Sequence, residues 1–242
     1  MNKRLIHAAS VAAILLAGCS SGHSYKVTGT VEGAADGDTV LLQASTDNGL
    51  TPIDTAFIRN GKFTFTGEQD SAVNRYITYA KGRQQFLADF FLENGNIQVQ
   101  LGKNCKVAGT SNNDGYQTFI DQMNQSVKGQ RELYTSLQRQ GLTENERQDL
   151  LDKINAKETE RQAILAQSIH DNIQNAVGLH LLSNFNFMLD PEQLAPLLEE
   201  LPAQYRDRES IAELAQYVEA TKKTAAGQRF TDFSMQTRRG TR

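Results

Sequence analysis

"IDTAFIRNGKFTFTGE", residues 53–68, is the stretch from which the fold reads outward. Asn60-Gly61 is the pair that a two-residue type I′ turn demands, because both central residues need positive φ. Ile53, Phe57 and Ile58 precede it, and Phe63 and Phe65 follow it, which predicts a β-hairpin. Working outward, "YKVTGTVEG" alternates Tyr25, Val27 and, past Gly29, Val31. "DTVLLQA" follows a "DGD" turn, and "RYITYA", "FLADFFLENGNIQVQL" and "KVAG" continue the run, with Asn94-Gly95 as a second turn. About eight short strands over residues 25–111 predict an antiparallel β-sandwich or open barrel.

Beyond residue 112 the period changes. Phe119, Ile120, Met123, Val127, Leu133 and Leu137 fall on one helical stripe. Thr143 and Glu146 have the spacing of a capping box, with Leu150, Leu151, Ile154, Ile164, Leu165 and Ile169 lining a face of the helix behind it. Asp190 as N-cap and Pro191 at the first helical position open another helix, which stops at Pro202. "ESIAELAQYVEATKK" makes a last one, with Lys222 and Lys223 at the end the helix dipole favours. The class is α+β: a β-rich unit over 25–111, then a helical segment over 112–225.

The N-terminus reads as a targeting signal. Lys3 and Arg4 precede an apolar stretch from Leu5 to Leu16, which is shorter than the roughly 20 residues a membrane span needs. "LAGC", ending at Cys19, resembles the lipobox of bacterial lipoproteins. Residues 1–18 are then the signal peptide, and 19–24 a tether lipidated on Cys19 that attaches the protein to membrane. Ser20 is not acidic, so the expected destination is the outer membrane of the cell envelope, facing the periplasm.

Composition narrows the function classes. The chain has 242 residues, 39% apolar and 22% charged, and a formal charge of −3; removing the leader's two cations takes it to −5. An acidic chain without a basic block is a poor match for nucleic acid. With Cys19 lipidated, Cys105 has no disulfide partner and reads as a small half-buried residue at a strand edge. His170 and His180 lie ten apart, not at the i, i+4 spacing of a helical zinc pair, and read as surface or edge residues. Glu93 reads as a turn residue, and Asn112, Asn113 and Asp114 as a loop and helix cap. The sequence has no P-loop, G-x-G-x-x-G or C-x-x-C motif. It therefore nominates no catalytic residue, metal ligand or cofactor. The partners it implies are the membrane, through Cys19, and a protein in the envelope.

"YKVTGTVEG", "DGDTVLLQ", "IDTAFIRNGKFTFTG", "FLENGNIQVQL" and "KVAGTSNND" together resemble the β-rich domain DUF4369, which precedes a thioredoxin-like domain in many bacterial lipoproteins. The helical stretch looks like the connector of those TlpA-like (AhpC/TSA) proteins. "GQRFTDFSMQT", within residues 226–242, resembles a linker and the first strand of their thioredoxin fold, cut short. The resemblance implies a non-catalytic, membrane-anchored N-terminal module of a thiol–disulfide oxidoreductase, whose W-C-x-x-C motif has no counterpart here. The alternative is an envelope lipoprotein that is itself a ligand- or protein-binding module. A hydrolase would need a buried carboxylate pair in a pocket.

Overall fold

The computed structural model describes residues 24–224. Cys19, the leader and the stretch 226–242 lie outside them. Eight strands come first: β1 (Tyr25–Val31), β2 (Thr39–Thr46), β3 (Gly49–Phe57), β4 (Phe63–Gly67), β5 (Val73–Lys81), β6 (Gln84–Leu92), β7 (Gly95–Leu101) and β8 (Lys106–Ala108). They form two four-stranded sheets, ordered β4-β1-β7-β8 and β3-β2-β5-β6. Val27, Phe63, Phe65, Ile97 and Val99 from the first sheet meet Val40, Leu42, Ile77 and Phe90 from the second in one apolar core. The architecture is a sandwich, and alternation along each strand supplies its inner faces.

Two features depart from the sequence expectation. The sheets are not wholly antiparallel: β1 and β7 pair in parallel, Tyr25 opposite Gly95 through Val31 opposite Leu101. The expected hairpin also opens at once. Asn60 and Gly61 have φ of 51° and 71°, as a type I′ turn requires, and Arg59 and Lys62 exchange both backbone bonds. There the pairing ends, with β3 joining β2 in one sheet and β4 joining β1 in the other. Ile58 and Phe63 both point into the core, so the turn drives its two arms onto opposite walls. Ala56 and Ile58 take the inward positions, leaving Ile53 and Phe57 about half exposed. Asn94-Gly95 is likewise a crossover between sheets rather than a hairpin turn. Asn94 anchors it by donating to the Gln69 carbonyl and accepting from the Gln69 N–H.

Six helices follow: α1 (Ser111–Leu137), α2 (Glu144–Asp171), α3 (Ala176–Phe185), α4 (Pro191–Glu200), α5 (Ala203–Arg206) and α6 (Glu209–Thr224). The Thr143–Glu146 capping box forms as expected, the Thr143 N–H donating to Glu146 at 2.8 Å and the Glu146 N–H to the Thr143 hydroxyl at 3.3 Å. Gly115 lies against Asn172 and Gly129 against Lys157, so α1 and α2 run antiparallel. Val127 and Leu151 fall outside the apolar seam, at 39% and 38% exposure. A second core unites Leu165, Ile169, Leu181, Leu194, Ile211 and Val218 with Phe119 of α1. Phe91, from β6, belongs to this helical core and not to the sandwich.

Gly109 turns the chain from β8 into α1 with φ of +108°, and a Cβ there would lie 2.3 Å from the Asn96 carbonyl oxygen. Left-handed backbone and a backbone clash act together, so Gly109→Ala is expected to destabilise the protein by about 2–3 kcal/mol. Urea unfolding monitored by circular dichroism measures it. A midpoint unchanged from the parent would contradict this account of the turn.

Candidate functional site

The sandwich and the helices meet where the outer side of β6 faces the first turns of α1. Phe91 sends its backbone N–H and C=O away from β5, into a region that would leave both unpaired. The Asn113 side chain takes them: its Oδ1 accepts from the Phe91 N–H at 2.9 Å, and its Nδ2 donates to the Phe91 carbonyl at 2.8 Å. The same Nδ2 also donates to the Thr110 hydroxyl. Asn113 is 1% exposed. Asn112, beside it, is buried and donates to Glu93 Oε2 at 2.6 Å. The cap residue is Thr110, so both asparagines stand inside the first helical turn rather than in a loop. Asp114, the third of the group, accepts from the Gly109 N–H.

A second polar cluster lies next to it. Asp89 accepts from the Tyr116 hydroxyl at 2.8 Å and from Asn74 Nδ2 at 2.5 Å. Burial, then the adjacent Asp89 charge, pushes the Tyr116 phenol far above its usual range, so it stays a donor at any ordinary pH. His180 stands edge-on to the rings of Phe91 and Tyr116, each 5.5 Å away. The sequence reads it as a surface or edge residue, and it is half-buried at the edge of a cleft. It packs between sandwich and helices there, because Asn175 starts a new helix by accepting from the Val177 and Gly178 N–H groups.

These residues border an open cleft of about 600 Å³ that includes Asn74, Phe91, Glu93, Asn112 and His180. Among the described residues Glu93 is its single lining carboxylate, where the acid pair of a hydrolase would need a second one facing it. Glu93 Oε1 and Asn112 Oδ1 are sealed from bulk solvent and accept from no donor among the described residues. Two such enclosed acceptors side by side suit a buried water that donates to both. Glu93, which the sequence reads as a turn residue, also holds Asn112.

The other nominated residues are elsewhere. His170, on α2, is exposed and pairs with Glu200 of α4 at 2.7 Å. Cys105 is half-buried at the edge of the sandwich core and donates to the Gly102 carbonyl at 3.4 Å. Among the described residues no group of three or more His, Cys, Asp or Glu side chains is placed to hold a metal. Sequence reasoning missed Asp89, Tyr116 and Asn74. The alternation of "FLADFF" was the available signal, since it sets Asp89 on the face opposite Ala88 and Phe90.

Replacing Asn113 with Ala strands the buried Phe91 N–H and C=O and is expected to destabilise the protein by about 2–4 kcal/mol in urea unfolding. Asn113→Asp keeps the acceptor and loses the donor, so its loss should be smaller at low pH, where the acid can donate. His180 carries a pH signature. Burial pushes its imidazole below the ordinary 6.5, with Asp89 partly opposing. The unfolded chain therefore binds this proton first as pH falls. Stability from the site is whole above about pH 7 and is lost as pH drops from the unfolded value through the depressed folded one. Melting temperatures of His180→Phe should fall less than those of the parent between pH 7 and 5. Equal slopes would refute the assignment.

Comparison with known proteins fits these boundaries. No curated protein and no solved structure matches the chain. A family model described as a domain of unknown function matches residues 25–116, taking in all eight strands and ending on α1 just past Asn112 and Asn113, at Tyr116 itself. The sandwich, together with the helical turns that clamp it, is a DUF4369 domain.

Proposed function

We propose that this chain is the non-catalytic, lipid-anchored N-terminal module of an envelope thiol–disulfide oxidoreductase of the TlpA-like kind. Cys19 holds it to the outer membrane on the periplasmic side. The sandwich and helical body set the distance and orientation of a redox domain and of the protein it acts on. The observation that carries this reading is the Asn113–Phe91 clamp. It joins the DUF4369 sandwich to the helices as one unit with a shared core at Phe91, which is what a spacer needs to transmit position. The resemblance of residues 112–225 to a connector, and of "GQRFTDFSMQT" to a thioredoxin-fold opening, points the same way. No helix among the described residues is long and apolar enough to cross a membrane.

A second reading is favoured by the junction cleft. Its open, polar lining by Asn74, Glu93, Asn112, His180 and Arg208 is a concave surface of the kind a ligand uses, so the unit is read as a binding module in its own right.

Three measurements test the first reading. Radiolabelled palmitate should enter the full chain in cells and be absent from Cys19→Ala. Dithiol-dependent insulin reduction by the chain should not exceed that of Cys105→Ser. Reading the gene past the Arg242 codon in all three frames should reveal a W-C-x-x-C. Label in Cys19→Ala, turnover that depends on Cys105, or no such motif would each overturn a part of it.

A further inference from the structure

The Asn113 clamp closes only one end of β6. In the β5–β6 ladder, Phe91 lies opposite Asn74, and its backbone groups point away from β5. The two-residue period of an antiparallel pair sends the backbone groups of Asp89, Leu87 and Gln85 the same way. β6 is the edge of its sheet, and among the described residues no backbone group bonds to Gln85 or Leu87 from that side. Natural sheets block such edges with proline, charge or bulges. The opposite edge of this sheet is blocked in this way: β3 carries Pro52, and its pairing with β2 is broken by a register shift between Leu42 and Gln43. Gln84–Leu92 contains no proline, its one charge, Asp89, is held by Tyr116 and Asn74, and its ladder with β5 runs without a shift.

What faces the open end is an amphipathic groove. It lies between β6, the turn before β8 and one side of α1, with a volume of about 1000 Å³. Leu87 and Val127 give it apolar walls, 49% and 39% exposed. Four cations line it against one acid. Lys106 is paired with that acid, Asp121, at 2.5 Å. Lys103, Lys128 and Arg131 form no ion pair among the described residues. This positive locus sits on a chain whose net charge is −3.

We propose that the groove receives an extended acidic segment of a partner polypeptide, which adds to β6 as a fifth strand. Its main chain bonds to the free groups of Gln85 and Leu87, and an apolar side chain covers Leu87 and Val127. Its carboxylates meet Lys103, Lys128 and Arg131. Strand addition supplies affinity through the backbone, and the charges supply selectivity and speed of encounter. The groove depends neither on the redox reading nor on the junction cleft.

The probe is a fluorescein-labelled decapeptide of alternating Glu and Val, titrated against the full chain by anisotropy, with its N-methylated form, an alternating Lys–Val peptide and phosphatidylglycerol vesicles in parallel. The Glu–Val peptide should bind and should protect the Gln85 and Leu87 amides from hydrogen exchange. Lys128→Glu/Arg131→Glu should weaken it about tenfold or more. N-methylation should abolish binding, because it removes the donors of the added strand without touching the protein's fold. Equal binding of the N-methylated or Lys–Val peptide would overturn the proposal. So would vesicle binding that the charge reversals weaken while the Glu–Val peptide stays unbound, since the groove would then be a membrane contact.

Discussion

The side chain of Asn113 stands where a further strand would otherwise be needed. A primary amide offers one donor–acceptor face of the same kind as a peptide group, and here it meets both polar atoms of Phe91. The bonds form where Asn113 is almost fully buried, so leaving them unmade would strand two backbone groups in a dry environment. Much follows from this contact. It sets the first turn of α1 on β6. Three residues on, that turn aims the Tyr116 hydroxyl at Asp89. It also brings Asn112 to Glu93 and lets Phe91 enter the helical core beside His180.

The same contact divides the outer edge of β6 into two environments of opposite character. At the clamped end, Asp89 and Glu93 draw neutral donors, Tyr116, Asn74 and Asn112, and form no ion pair among the described residues. At the open end the lining is basic and partly apolar. Both hollows border α1, whose first turn carries Asn112 and whose middle carries Val127, Lys128 and Arg131. The helix is therefore the structural partition of the molecule as well as the link between its two cores.

Much of this was legible in the sequence where the governing interaction is local. Period-two alternation marked the strands. The Thr143–Glu146 box, the Asp190-Pro191 start and the terminal Lys222 and Lys223 marked the helices, because caps and dipoles act within one turn. Pairing over distance left no such mark. A type I′ turn at Asn60-Gly61 has the same residues whether its arms stay together or part. Their parting depends on β1 claiming β4, more than thirty residues upstream of the turn at Tyr25. The parallel β1–β7 pair has no local signature at all. Asn113 reads as part of a loop and helix cap because it is polar, and its burial depends on the Phe91 backbone 22 positions earlier. The half-burial of His180 follows from the helix start at Asn175, which its spacing from His170 does not reveal, although an asparagine before an apolar run is itself a start signal.

A junction built on Asn113, Tyr116 and Asp89 is an unusual choice if adhesion alone were the requirement. Apolar residues of similar volume stabilise an interface as well or better, since buried polar groups first lose their water. They also tolerate sliding, because apolar contact is non-directional. Hydrogen bonds to one particular N–H and C=O do not. A shift of α1 by a single residue along β6 would face Asn113 with a residue whose backbone groups point back toward β5, and would pull Tyr116 off Asp89 at the same time. The polar junction thus trades some stability for a single register between sheet and helices. That is the property a module needs when its proposed role is to hold other proteins at a set place on a membrane, where the proposed lipid tether would supply high effective concentration and leave orientation to be fixed.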